Sequence, residues 1–177
     1  MEERLRNILS SVSEHLKFAE TKNATLFAAN AATIFGCLQI LAGLKDKEWI
    51  SRYFIVLVAF STFSALIILI SFLPQTKIPW LFRGRPVRSK DSLLFFGDIQ
   101  RYDPRSYLLA LYESCEIVDP KPARIELMYA EQIIVNAKIA SRKYTYFRYA
   151  IWITLAGILT PLLAIPLHRL FHTSHNE

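Results

Sequence analysis

ATLFAANAATIFGCLQILAGL, residues 24–44, contains no Asp, Glu, Lys or Arg. A helix needs about 20 apolar residues to cross the hydrocarbon core of a bilayer, so the run is long enough to span one. It is too long for the apolar region of a secretory signal, and Glu2, Glu3, Glu14 and Glu20 precede it where a signal would be basic. Residues 53–73 and 149–167 are equally free of charge. Three such windows in 177 residues that are 53% hydrophobic predict an all-α integral membrane protein, because a soluble domain of that length would spread its charges more evenly.

Aromatic residues mark the ends of the windows: Trp49 and Tyr53 at the first turn, and Tyr144, Tyr146, Tyr149 and Trp152 before the third. This is the belt expected where protein meets headgroups. Lys and Arg then orient the chain. Twelve lie between Pro74 and Lys143, three in the turn from Lys45 to Arg52, and Arg169 stands alone beyond the third window. Positive charge stays on the cytoplasmic side, which predicts a multi-pass membrane protein with its N-terminus in the cytoplasm. The net charge of +6 is therefore a mark of orientation, with no nucleic-acid partner implied.

The predicted organisation is a cytoplasmic N-terminal helix at 1–23, a first span at 24–44, and a short external turn at 45–52. A second span follows at 53–73, then a cytoplasmic segment at 74–144, a third span at 145–167 and an external tail at 168–177. Leu5, Leu9, Val12, Leu16 and Ala19 recur at helical spacing, so one long helix is expected from about residue 3 to 44. The stretch PQTKIPWLFRGRPVRSK is too rich in proline for regular helix, and its Arg83, Arg85, Arg88 and Lys90 suit anionic headgroups or a topology anchor. Asp103-Pro104 and Asp119-Pro120 each place a capping carboxylate before a proline at the first helical position. They predict one helix over about 104–116 and another from about 120 that runs on into the third span.

Within the first span Ala24, Ala28, Ala32 and Gly36 form a stripe of small residues, and Asn30 and Gln39 bring amides into the hydrocarbon. The stripe serves packing within one chain or, because three spans make a thin bundle, between copies in a homo-oligomer. On the last helix Tyr129, Gln132, Asn136 and Lys143 share a face, as a hydrogen-bonded seam would, with His15, Glu20 or Lys22 as partners. SRKYTYFR, residues 141–148, supplies either snorkelling anchors or a phosphate contact. His168, His172 and His175 have helical spacing but end the chain, so no metal is assigned to them. Cys37 and Cys115 form neither a disulfide framework nor a metal pair. With no nucleotide loop or hydrolase motif, and no charged residue inside the windows 24–44, 53–73 and 149–167, the chain is read as neither an enzyme nor a conventional transporter.

One further stretch, LLFFGDIQRYDPRSYLLAL from Leu93 to Leu111, resembles the element N-L-F-aromatic-F-G-D/H-I followed by S/D-P-x-x-Y of the membrane-spanning Pycsar effectors. HLKFAETKNATLFAANAAT is similar to that family's D/E-x-K-x-x-x-L element, and EQIIVNAKIASRKYTYFRYA to its closing Q-I-x-x-x-S/A-x-I-A-x-x-K-Y-x-x-L/F-R-x-A helix. The resemblance implies an antiphage effector that answers cyclic UMP or cyclic CMP, made by a partner pyrimidine nucleotide cyclase, by damaging the inner membrane. No cofactor is implied beyond that activating ligand, and membrane lipid is the other partner.

A cyclic pyrimidine nucleotide carries one negative charge and a flat base, so its receptor needs cations and stacking surfaces. Arg101, Arg105, Lys138, Arg142 and Lys143 can meet phosphate; Phe95, Phe96, Tyr102 and Tyr107 can stack; Gln132 and Asn136 can read base edges. Each also has an ordinary role as a packed ring or solvated charge. Gly97 permits a turn or a close contact, and Asp98 is expected to cap the next helix in preference to pairing with an arginine. The ligand-site candidates are Phe96, Asp98, Arg101, Arg105, Gln132, Asn136, Arg142 and Lys143. Two other readings fit the same spans: a constitutive membrane anchor that docks a cytoplasmic protein, and an ungated small channel.

Overall fold

The computed structural model describes residues 1–44, 48–73, 91–117 and 120–173, with side chains as far as residue 160. Its elements are α1 (Glu2–Gly43), α2 (Glu48–Phe72), α3 (Phe96–Ile99), α4 (Pro104–Ser114) and α5 (Arg124–Thr173). The described residues form no strand, as expected of an all-α chain. Two helices, α1 and α2, are long and apolar enough to cross a membrane. The third expected span is helical throughout within α5, but its side chains beyond residue 160 lie outside the described residues. So do Arg83, Arg85, Arg88 and Lys90, Asp119, and the side chains of His168, His172 and His175.

Two boundaries differ from expectation. α5 begins at Arg124 rather than near residue 120, because Glu126 reaches back to accept the backbone N–H of Ala123 at 3.0 Å. That is half of a capping box, and it fixes the first turn there. At its other end α5 continues past Gly157, Pro161 and Pro166 to Thr173, so the tail expected from residue 168 starts as helix.

The chain divides into two compact units: unit 1 holds residues 1–21 and 74–145, unit 2 residues 22–73 and 146–177. In unit 1 the buried cluster takes Leu5, Ile8 and Val12 from α1, Ile99, Tyr102, Tyr107, Leu108 and Leu111 around α4, and Ile133, Ile134 and Ala137 from α5. Polar residues lie outside it, the ordinary arrangement for a helical domain in water. α4 ends in a Schellman motif: Ile117 N–H bonds to Tyr112 O at 3.2 Å, Glu116 N–H bonds to Glu113 O at 3.0 Å, and Glu116 has φ of 57°.

Unit 2 is packed the other way round. The buried residues of α2 are Leu57, Ser61, Ser64, Ile68 and Ser71, on one face, while Ile55, Phe63, Leu66, Leu69 and Ile70 are exposed. Such a helix is stable only where its surroundings are apolar, as in lipid. The interior is held by a closed set of hydrogen bonds. Asn30 Nδ2 donates to Ser64 Oγ at 2.9 Å, Ser64 Oγ donates to Ala150 O at 2.9 Å, and Thr154 Oγ1 donates to Asn30 Oδ1 at 3.0 Å. Gly157 lets α5 close on α2, since a Cβ there would stand 2.7 Å from Phe60 Cβ. The expected small-residue stripe behaves differently: Ala24, Ala28 and Ala32 are exposed, and a Cβ on Gly36 would meet nothing within 4 Å.

Candidate functional site

The site is assembled in unit 1 from the D-P-x-x-Y residues outward. Asp103 caps α4, its Oδ1 accepting the N–H groups of Arg105 and Ser106, each at 3.1 Å, with Pro104 in the first turn. The Ser106 hydroxyl also donates to this carboxylate, and these bonds hold Asp103 below the usual carboxylate range. Tyr107 follows on the inner face of α4, fully buried, and its hydroxyl donates to Leu93 O at 2.8 Å. Burial pushes its pKa upward, and the same hydrogen bond fastens the chain just before FFGD. Tyr112 is likewise pushed up to about 12 by burial and by its bond to the Glu126 carboxylate.

FFGD opens the short helix α3, with Phe95 as its extended N-cap and Phe96 as its first residue. Asp98 does not cap the next helix, which is already capped by Asp103; it accepts the Ser92 N–H at 3.1 Å and lies 3.8 Å from Arg101 Nη1. Arg101 Nη1 also donates to Asp91 Oδ1 at 2.9 Å, so this arginine closes the loop that leads into α3. Gly97 has no positive φ; its bare Cα leaves room for the Phe95 ring, which a Cβ there would displace.

The Phe96 ring meets three others. His15 lies 5.1 Å away between centroids, Phe95 4.8 Å, and Tyr144 5.3 Å with the planes 23° apart. Around this cluster α1 and α5 are joined by the polar seam expected from α5. Lys143 Nζ pairs with Glu20 Oε1 at 3.2 Å, Asn136 Nδ2 donates to Ser13 Oγ at 3.2 Å, and Tyr144 OH donates to His15 O at 3.5 Å. Lys22 is placed otherwise, over the Phe147 ring at 5.7 Å in unit 2. Lys138 is half-buried, and desolvation lowers its pKa.

The candidates therefore separate. Phe96, Asn136 and Lys143 come together with His15 and Tyr144 on the α1–α5 seam, and Arg142 is half-buried beside Lys143 in sequence. Asp98 and Arg101 are engaged with each other and with Asp91. Arg105 and Gln132 are exposed. Tyr102 and Tyr107, considered for stacking, are core residues at 6% and 0% exposure, so neither offers a ring face to a base. The contact of His15 with Phe96 was missed, and no local pattern announces it. Tyr144 is legible in the sequence as an interfacial aromatic and as part of a cationic, tyrosine-rich segment, not as a partner of Phe96.

In chemical terms the seam offers a ring platform, one ammonium and an amide, with no group of three or more metal-ligating side chains among the described residues. Residues 4–168 match the family model described as the Pycsar effector protein domain. The chain is also similar to the Pycsar effector protein GmPycTM of Gulbenkiania mobilis, 26% identical over 172 residues that cover 90% of this chain and 83% of that protein. No solved structure matches.

Proposed function

Because this chain belongs to the Pycsar effector family, we propose that it is an antiphage effector switched on by cyclic UMP or cyclic CMP from a partner cyclase, which then breaches the inner membrane. Family membership supports the defence role, and the two apolar helices support a place in the membrane. The trigger, the lesion and the three-span topology with a cytoplasmic N-terminus are our reading. So is the division into N-terminal helix, spans and sensing segment at the boundaries given above.

One observation supports the reading most. The three stretches that carry the resemblance converge on one seam in unit 1, where Glu20 pairs with Lys143 and Tyr144 stacks on Phe96. Rings and a cation brought together in a water-facing unit suit a phosphate-bearing base. In this reading Asn136, Arg142 and Lys143 face the ligand, Phe96 lies at the place the ligand takes, Arg105 and Gln132 lie at its margin, and Asp98 and Arg101 hold α3 in place. The outward stripe of Ala24, Ala28, Ala32 and Gly36 supports assembly of copies in the bilayer. Because α1 and α5 each run unbroken from one unit into the other, ligand bound in unit 1 can bias the packing of spans.

The test is dye uptake by cells that make this chain with or without a cyclase for each cyclic pyrimidine nucleotide. Uptake only with the cyclase is expected. Leak without it would identify an ungated channel, and no leak in any condition would identify an anchor.

A further inference from the structure

Within FFGD, two neighbouring rings are used in opposite ways. Phe95 is 51% exposed and Leu94 before it 67%, whereas Phe96 turns inward onto rings of two other helices. Its centroid distances of 5.1 Å to His15 and 5.3 Å to Tyr144 are those at which an aromatic side chain holds another flat ring. The ring lying there has six members, as a pyrimidine has. Next to Tyr144, the Lys143 ammonium rests on a Glu20 carboxylate that is itself 48% exposed, so a phosphate can replace it.

The segment is fixed on both sides of this ring. Leu93 O is held by the buried Tyr107 hydroxyl, and Ile99 is fully buried in the unit 1 core. Asp98 and Arg101 hold the α3 backbone between them, so the Phe96 ring leaves by turning about its own side-chain bonds, without undoing either anchor.

We propose that Phe96 is a stand-in for the nucleotide base: its ring fills the stacking position on His15 and Tyr144 until a six-membered base carrying a phosphate expels it. Lys143 then turns from Glu20 to the phosphate. Ligand occupancy is thereby converted into the exposure of Phe96 beside Phe95 and Leu94. The inference rests on the reading of this chain as a receptor for a cyclic pyrimidine nucleotide.

The experiment is calorimetric titration of the full-length protein in detergent with cyclic UMP and cyclic CMP. Phe96→Ala empties the position in advance, so it is expected to tighten binding by about tenfold, the scale of one lost ring stack. Phe95→Ala should leave affinity unchanged. Phe96→Leu, which keeps apolar bulk without a planar ring, guards against a folding defect in the alanine variant and should also tighten binding. In Phe96→Trp, the difference emission spectrum against the unsubstituted protein should shift to the red at saturation as the ring enters water. Weaker binding by both Phe96→Ala and Phe96→Leu, or an unmoved tryptophan signal at saturation, overturns the exchange while leaving the receptor reading intact. If neither the unsubstituted protein nor any variant binds either nucleotide, both fall together.

Discussion

The fully buried side chains of unit 1 include Tyr107, Leu108, Ile133 and Ile134; those of unit 2 include Asn30, Ser61 and Ser64. Outside, the pattern reverses: unit 2 exposes Phe35, Ile55, Phe63, Leu66 and Leu69. The same helix type is thus stabilised by opposite rules. In unit 1 burial of apolar surface supplies the driving force, at about 25 cal/mol per Å² removed from water. In unit 2 lipid matches that surface equally well, so close packing and hydrogen bonds between spans must supply it.

The sharpest way to break this contrast is Phe63→Asp. If the exposed face of unit 2 met water, the change would be nearly neutral; facing lipid, it should cost about 2.5–3.5 kcal/mol and reduce recovery in the membrane fraction. Gly157→Val comes next. Its added methyls meet Phe60, so thermal unfolding in detergent should show a loss of about 1–3 kcal/mol, while Gly36→Val leaves protomer stability unchanged. In unit 1, Tyr107→Phe should cost about 1 kcal/mol by leaving the Leu93 carbonyl without its donor.

The pH response should separate the units as well. Tyr107 and Tyr112 have folded-state pKa values raised above the unfolded one, so their contribution is intact below about pH 10 and is lost as pH rises through the folded values. Cys115 lies in unit 1 and buried Cys37 in unit 2. Cys115 is already half-exposed, so the check is that the tyrosine absorbance of unit 1 changes with rising pH while buried Cys37 stays unreactive to a thiol reagent. The smallest expected effect is a gain: Glu116 sits where glycine is preferred, and Glu116→Gly should raise unit 1 stability by about 0.5–1 kcal/mol in a thermal melt.

Local chemistry was legible in the sequence where it decides structure by itself. Asp103-Pro104 had to start a helix, and it does; the charge-free run that opens at Ala24 lies within a single helix as far as Gly43. The polar line on α5 was also readable, and Lys143 does pair with Glu20. What could not be read depends on distant partners. Arg101 looks like an available cation until Asp91 and Asp98 are placed around it. Tyr102 and Tyr107 look like stacking rings until burial removes them. Asp98 was misassigned because the capping role belongs to the carboxylate next to proline. One signal in unit 2 was present and unused: Ser61, Ser64 and Ser71 fall on the same face of α2, which marks its interior.

α1 carries both chemistries in one unbroken rod. Its inner face offers Leu5, Ile8 and Val12 early on, and Asn23 and Asn30 later. Leu26 and Cys37 alternate with those amides on the inner face, Phe35, Leu38 and Ile40 are exposed outside it, and a helical turn advances the exposed run by about 5.4 Å. A bilayer thinner or thicker by that much would lay hydrocarbon against the wrong stretch, at a modest cost for each ångström of mismatch. Bilayers of different acyl length should therefore change how well the protein folds before any ligand is present.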